Sequence, residues 1–294
     1  MRSLLLTLLI VLWSHYQNNL ALSVSEKFEK NVIHLDMAPN SAAYIFTQSP
    51  EADEIAINYM EEERKKNQTF NDVWQFADRE MKCKIPSELR REHMLAVYAY
   101  TVETPRFYSM FNEAVRRYGV NDAIYAERFN FKSFHYLLST ALQKLRVDSG
   151  SKSYPTFRGF NMQTDTNVGA EIRFGYYASS SLDEEVALIF INMTEKTNTM
   201  LEITTQYGVP IQECSNQPDE KEILIPPYEK FQVRKIVSRE YGTKIQLTED
   251  GLKGTNVKVE KDKDGKMVVL RSGDARISAL GGLWILAALV SISV

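Results

Sequence analysis

Cysteine, histidine and excess basic charge are all scarce in this sequence, and each scarcity removes a class of function. Of the four histidines, His15, His34, His93 and His135, none stands at HExxH-like spacing, so no metal site is supported. The acidic run Lys261–Lys266 lacks the ligand spacing of a calcium loop and reads as a turn. A formal net charge of −3, with no basic cluster, argues against a nucleic-acid partner. No GxGxxG follows a strand-like run, which removes the doubly wound dinucleotide fold. Internal repeats, proline-rich linkers and low-complexity tracts are also missing, so one continuous domain is the economical organisation.

Long apolar runs are confined to the two ends. Residues 4–13, LLLTLLIVLW, follow Arg2 and are too short to span a bilayer but suit a signal-peptide core. Residues 277–294, ISALGGLWILAALVSISV, carry no charge, and small residues Ser272–Ala275 precede them, as a lipid-transfer site requires. The expected organisation is a signal peptide at 1–23, one domain at 24–273 and a GPI-attachment propeptide at 274–294. This places the protein on the extracellular face of the plasma membrane. Asn67-Gln68-Thr69 and Asn192-Met193-Thr194 are glycosylation sequons consistent with that route. The cysteines, Cys83 and Cys214, would there form either one disulfide, stabilising the fold by about 4–5 kcal/mol, or two buried thiols.

Apolar residues recur at helical spacing between about 50 and 148: Phe70, Val73, Trp74 and Ala77; Leu95, Tyr98 and Ala99; Phe107, Phe111 and Val115; Phe134, Leu137, Leu138 and Ala141. Pro86 and Pro105 punctuate them. From Tyr154 onward the runs shorten to strand length: Ala187–Ile191, Met200–Thr204, Glu222–Ile225, Phe231–Ile236 and Thr243–Leu247, then a hairpin at Val257–Leu270 turning through Asp264-Gly265. A helical half followed by a β-rich half at about 154–270 predicts an α+β fold.

Three segments of the β half stand out. They are Thr156-Phe157-Arg158-Gly159-Phe160, Arg173-Phe174-Gly175-Tyr176-Tyr177-Ala178-Ser179-Ser180-Ser181, and Glu220-Lys221-Glu222-Ile223-Leu224-Ile225-Pro226-Pro227-Tyr228-Glu229. Taken in order they resemble the R-S-ExE signature of arginine-specific ADP-ribosyltransferases, and the flanks are similar to the vertebrate ecto-enzymes. Leu35-Asp36-Met37-Ala38-Pro39 and Phe131-Lys132-Ser133-Phe134-His135-Tyr136 extend the likeness, which covers about residues 30–250.

The resemblance implies a mixed or antiparallel NAD-binding sheet carrying the helical half. It also implies NAD, or NADP, as co-substrate without a metal, and transfer of ADP-ribose to arginines of surface or secreted proteins by a GPI-anchored monomer. Cleaving the nicotinamide–ribose bond builds positive charge on C1′, and the resemblance gives Glu222 the task of stabilising it. Arg158 would grip the pyrophosphate through its planar fork, with Gly159 allowing close backbone approach. Ser179 would bind NAD and orient Glu222. Glu220, two residues away on a strand and so on the same face, would hold the acceptor guanidinium. Tyr100 and Ser215 match further cofactor contacts.

Two departures from the family pattern are visible. The places of two usual cysteine pairs are occupied by Lys152-Ser153-Tyr154 with Thr204-Thr205-Gln206-Tyr207, and by the surroundings of Tyr44 with those of Gly254. Tyr176 stands where glutamine is common. An NAD glycohydrolase using water as acceptor, and a catalytically silent surface antigen, are the alternative readings.

Overall fold

A computed structural model of the chain describes residues 32–272. The expected signal peptide and GPI-attachment segment lie outside these residues. Among the described residues no helix is long and apolar enough to cross a membrane.

Among the described residues, six helices fill the first half: α1 (Pro50–Lys66), α2 (Gln68–Glu80), α3 (Arg91–Tyr100), α4 (Phe107–Arg117), α5 (Asp122–Arg128) and α6 (Lys132–Asp148). Local chemistry sets their ends. Ser49 accepts from the Ala52 amide at the start of α1, whose first residue is Pro50. Asn67 ends α1 and opens α2 by accepting from Phe70 N at 2.9 Å. The residue before helix α6 is Phe131, which has no side-chain acceptor, and a carboxyl group from α1 substitutes. Glu63 accepts from the amides of Lys132 at 2.6 Å and Ser133 at 3.0 Å, and from the Ser133 hydroxyl. Inside, Phe70, Phe107, Phe111 and Phe134 interlock at ring-centroid distances of 4.8–6.2 Å. All four are fully buried, and each such ring contributes about 1.5–3 kcal/mol.

Thirteen strands among the described residues surround and follow the helices. Two short ones come first, β1 (Val32–His34) and β2 (Tyr44–Phe46). Then follow β3 (Tyr154–Phe160), β4 (Gln163–Asp165), β5 (Glu171–Arg173), β6 (Ala178–Ser181), β7 (Asn198–Thr205), β8 (Val209–Pro210), β9 (Glu222–Ile225), β10 (Glu229–Arg239), β11 (Gly242–Leu252), β12 (Thr255–Lys261) and β13 (Met267–Arg271). Eight of them make one sheet in the order β5-β10-β11-β7-β3-β6-β9-β8, antiparallel except at β11–β7. A smaller sheet, β13-β12-β2, rests on the helical half, and β1 pairs with β4. The expected α+β class is what the structure has.

The five-residue run at Ala187–Ile191 is not a strand. It belongs to helix α7 (Glu184–Ile189) and the turn after it, with Asp183 capping the Glu185 amide. A short apolar run has no decisive period, and the Asp183 cap with acidic residues in the first turn decides for helix.

Both places where the family's usual cysteine pairs are missing are joined without covalent bonds. Tyr154 pairs with Thr205 in the β3–β7 ladder, and Ser153 Oγ donates to Gln206 Oε1 at 2.8 Å. Tyr44 pairs with Thr255 between β2 and β12. The chain's own cysteines form a disulfide, Cys83–Cys214, with Cα atoms 5.1 Å apart. It fastens the segment after α2 to the loop that leads into β9.

Candidate active site

Strands β3, β6 and β9 are consecutive in the large sheet, and they bring residues 158, 179 and 222 together. Registers are fixed: Phe157 lies opposite Ser181, Ser181 opposite Glu222, and Ser179 opposite Leu224. The mouths of these strands open on a cavity of about 340 Å³ lined by Tyr100, Arg158, Gly159, Ser179, Glu220 and Glu222 among others. That volume lies in the range of small-molecule sites.

Glu222 is buried. Burial pushes its carboxyl up to about 7, opposed by a hydrogen bond from Ser179 and assisted by the charge of Glu220, while Arg158 pulls it down. A carboxylate held here is desolvated and strongly felt by any positive charge that develops beside it. The Arg158 guanidinium donates through Nη1 to the Ser179 carbonyl. Its Nε is buried with no hydrogen-bond partner among the described residues. An orphaned buried donor of this kind suits an anionic group of a ligand.

Glu220 lines the same cavity, but not by strand alternation. It ends a 3-10 turn, Pro218–Glu220, outside β9. Lys221, the residue between the two glutamates, takes a left-handed conformation with φ 47°, an uncommon conformation for a non-glycine residue. That reversal, with the Ser181 hydroxyl donating to the Glu220 carbonyl at 2.7 Å, puts both acids on one wall. Burial raises the Glu220 carboxyl, and Glu103 across the cavity adds to the rise.

Tyr100 is buried on the cavity wall and donates to the Tyr177 carbonyl at 2.7 Å. Asn112 Nδ2 donates to the Tyr100 hydroxyl at 2.8 Å, and Asn112 Oδ1 accepts from the Tyr177 amide at 3.1 Å. Asn112, Glu103, Tyr108, Phe157, Tyr177, Val186, Phe190 and Gln217 also line the cavity, and sequence reasoning assigned them no role. A polar Asn112 within the apolar stripe of α4 was the one available signal.

Ser215 is not on the cavity wall; its hydroxyl accepts from the Gln217 amide at 2.9 Å, a local turn. Gly159 does permit a close approach, but of helix to strand. Tyr176 lies beside the site, with the guanidinium carbons of Arg116 and Arg158 at 5.7 and 5.9 Å from its ring centroid. Of the sequon asparagines, Asn67 caps α2 and Asn192 sits in the turn after α7.

His135 is neutral core: burial drives its pKa down to about 3, and its Nδ1 pairs with the Tyr125 hydroxyl at 3.0 Å. No group of three or more metal-ligating side chains occurs among the described residues.

Residues 35–255 match the family described as NAD:arginine ADP-ribosyltransferase. The chain belongs to that family. Among its relatives in the NAD:arginine ADP-ribosyltransferases is the erythroblast NAD(P)(+)--arginine ADP-ribosyltransferase of Gallus gallus, 32% identical over 246 residues, 81% of this chain and 80% of the relative. Ecto-ADP-ribosyltransferase 5 of Bos taurus is 35% identical over 212 residues, 68% of this chain and 65% of the relative. Among solved structures, the mono-ADP-ribosyltransferase ART2.2 superposes with a TM-score of 0.61 at 28% identity, covering 79% of this chain and 97% of that one. A variant of ART2.2 solved in complex with NAD matches with a TM-score of 0.59.

Proposed function

We propose that this protein transfers ADP-ribose from NAD to arginine side chains of extracellular or cell-surface proteins and releases nicotinamide. The observation that carries this reading is the buried Glu222, hydrogen-bonded to Ser179, beside both Arg158 and Glu220 in one cavity.

In this reading Arg158, with its free Nε, takes the pyrophosphate of NAD. Bond breakage sends the electron pair of the C1′–nitrogen bond to nicotinamide and leaves positive charge on the ribose. Glu222 stabilises that charge, and Ser179 holds the carboxylate in place. Glu220 holds the incoming guanidinium, accepts its proton as the nitrogen bonds C1′, and so favours arginine over water. Tyr100, fixed by Asn112, walls the donor side. Residues 24–273 are proposed as the mature domain, delivered by the secretory route, carrying glycans at Asn67 and Asn192 and held by a GPI lipid. Kinship with GPI-linked NAD(P)(+)--arginine ADP-ribosyltransferase 1 of Mus musculus, 39% identical over 150 residues that are 50% of this chain and 44% of the relative, is in keeping with the anchor.

The test is purified protein with labelled NAD and agmatine as a free guanidinium acceptor, following nicotinamide and labelled agmatine together. Label on agmatine, lost in Glu220→Gln and in Glu222→Ala, is the expected result. Nicotinamide release with no labelled agmatine would make the protein a glycohydrolase. No turnover by folded protein would leave only a binding role.

A further inference from the structure

The segment made of helix α7 and its flanks, residues 182–193, has a packed apolar side and an exposed apolar side. Its inner side presents Ala187 and Ile191 to Gly159 and Met200 under the large sheet. Exposed on the other side are Ile189 of the helix and Leu182, Phe190 and Met193 of its flanks, with relative exposures of 79%, 39%, 52% and 62%. Four of the eleven large apolar side chains exposed among the described residues therefore fall within residues 182–193, and the other seven are scattered over distant elements. Clustering of this kind marks a contact surface rather than ordinary surface apolarity.

The rim is continuous with the catalytic cavity. Val186, Ala187 and Phe190 line the same cavity as Glu220 and Glu222. The Leu182 amide donates to the carbonyl of Lys221, the residue between the two glutamates, at 3.3 Å. Lys221 Nζ pairs with Asp183 at 2.9 Å. A polypeptide that presents a guanidinium to Glu220 therefore has this rim within reach of its neighbouring residues.

We propose that the outer face of α7 and its flanks, Leu182, Ile189, Phe190 and Met193, dock the acceptor protein and select arginines flanked by apolar side chains. This rests on the transfer reaction proposed above. Agmatine has no flanking residues, so it reports on the chemistry alone, whereas a peptide acceptor reports on chemistry and docking together.

The experiment compares wild type with Ile189→Ser and Met193→Ser, both of which leave the Asn192 sequon intact. Acceptors are agmatine, an arginine peptide flanked by leucine and phenylalanine, and one flanked by glycine and serine. Wild type is expected to prefer the apolar-flanked peptide. Each variant should lower kcat/KM for that peptide by about tenfold while agmatine and the polar peptide are unchanged. Equal loss on all three acceptors would mean that the rim only shapes the cavity, and no loss on any would mean that it docks nothing there; either result overturns the proposal. A concentration-dependent dimer abolished by the variants, with peptide kinetics unaltered, would assign the face to self-association and overturn it too. Wild type that labels no acceptor at all would instead remove the transfer reading itself.

Discussion

The carbonyl oxygen of Ala187 stands 2.1 Å from the point a Cβ would occupy on Gly159. A helix backbone thus rests directly on the strand that carries Arg158, and no side chain fits between them.

Gly159→Ala is therefore expected to push α7 off β3. The cost should be about 1–3 kcal/mol, as for other forced overpacking, and the KM for NAD should rise because Arg158 is the adjacent residue. Chemical denaturation and steady-state kinetics check the two parts separately.

The pH profile of nicotinamide release should show the ionisation of Glu222. Its carboxyl is raised to about 7 by burial, so the charged form grows as pH rises through that value. The kcat/KM for NAD is expected to climb from about pH 6 to 8. In Glu222→Gln the profile should lose this limb and the rate should fall by about a hundredfold or more. A limb retained in the variant would assign it to another group.

Glu63 links stability to pH in a direction opposite to a paired surface acid. Burial lifts its carboxyl from 4.5 to about 7, so between those values the folded chain keeps a proton that the unfolded chain releases. Its contribution is complete below about pH 4.5 and is lost as pH rises through about 7. Glu63→Gln keeps an acceptor at the start of α6 and should be less destabilised, relative to wild type, at about pH 8 than at about pH 5. Glu63→Ala orphans two amides and a hydroxyl and should cost about 2–5 kcal/mol. Denaturant titrations at the two pH values measure all three proteins.

Opening the disulfide should destabilise the fold without moving the strands that hold residues 158, 179 and 222. Cys83 and Cys214 are 131 residues apart, and a closed loop of that size contributes about 5 kcal/mol through the unfolded chain. The doubly substituted Cys83→Ser, Cys214→Ser protein is expected to unfold at markedly lower denaturant concentration in one cooperative step.

Much of this arrangement was legible in the residues. The strand at Glu222–Ile225 has the predicted bounds, and the stripes through Phe107–Val115 and Phe134–Ala141 became the core-facing sides of two helices. What escaped was local geometry without periodicity. The five apolar residues Ala187–Ile191 carry no preferred period, so the run reads as a strand where the structure has the end of a helix and a turn. Glu220 shares the cavity wall with Glu222 through a turn and not through strand alternation, and nothing in Pro218-Asp219-Glu220-Lys221 announces a left-handed lysine. Asn112 and Glu103 reach the cavity from the helical half, and only tertiary structure brings them across.

Lys221 separates two kinds of mechanical support. On one side, Arg158, Ser179 and Glu222 are locked by inter-strand ladders and shift only if the sheet shifts. On the other, Glu220 hangs on a single turn of 3-10 helix outside those ladders. In the proposed reaction, donor chemistry is thereby placed on paired strands of the sheet, and the grip on the acceptor guanidinium on a turn outside it. On that assignment, rewriting the few residues of the turn is expected to change the acceptor and leave glycosidic-bond breakage as it stands.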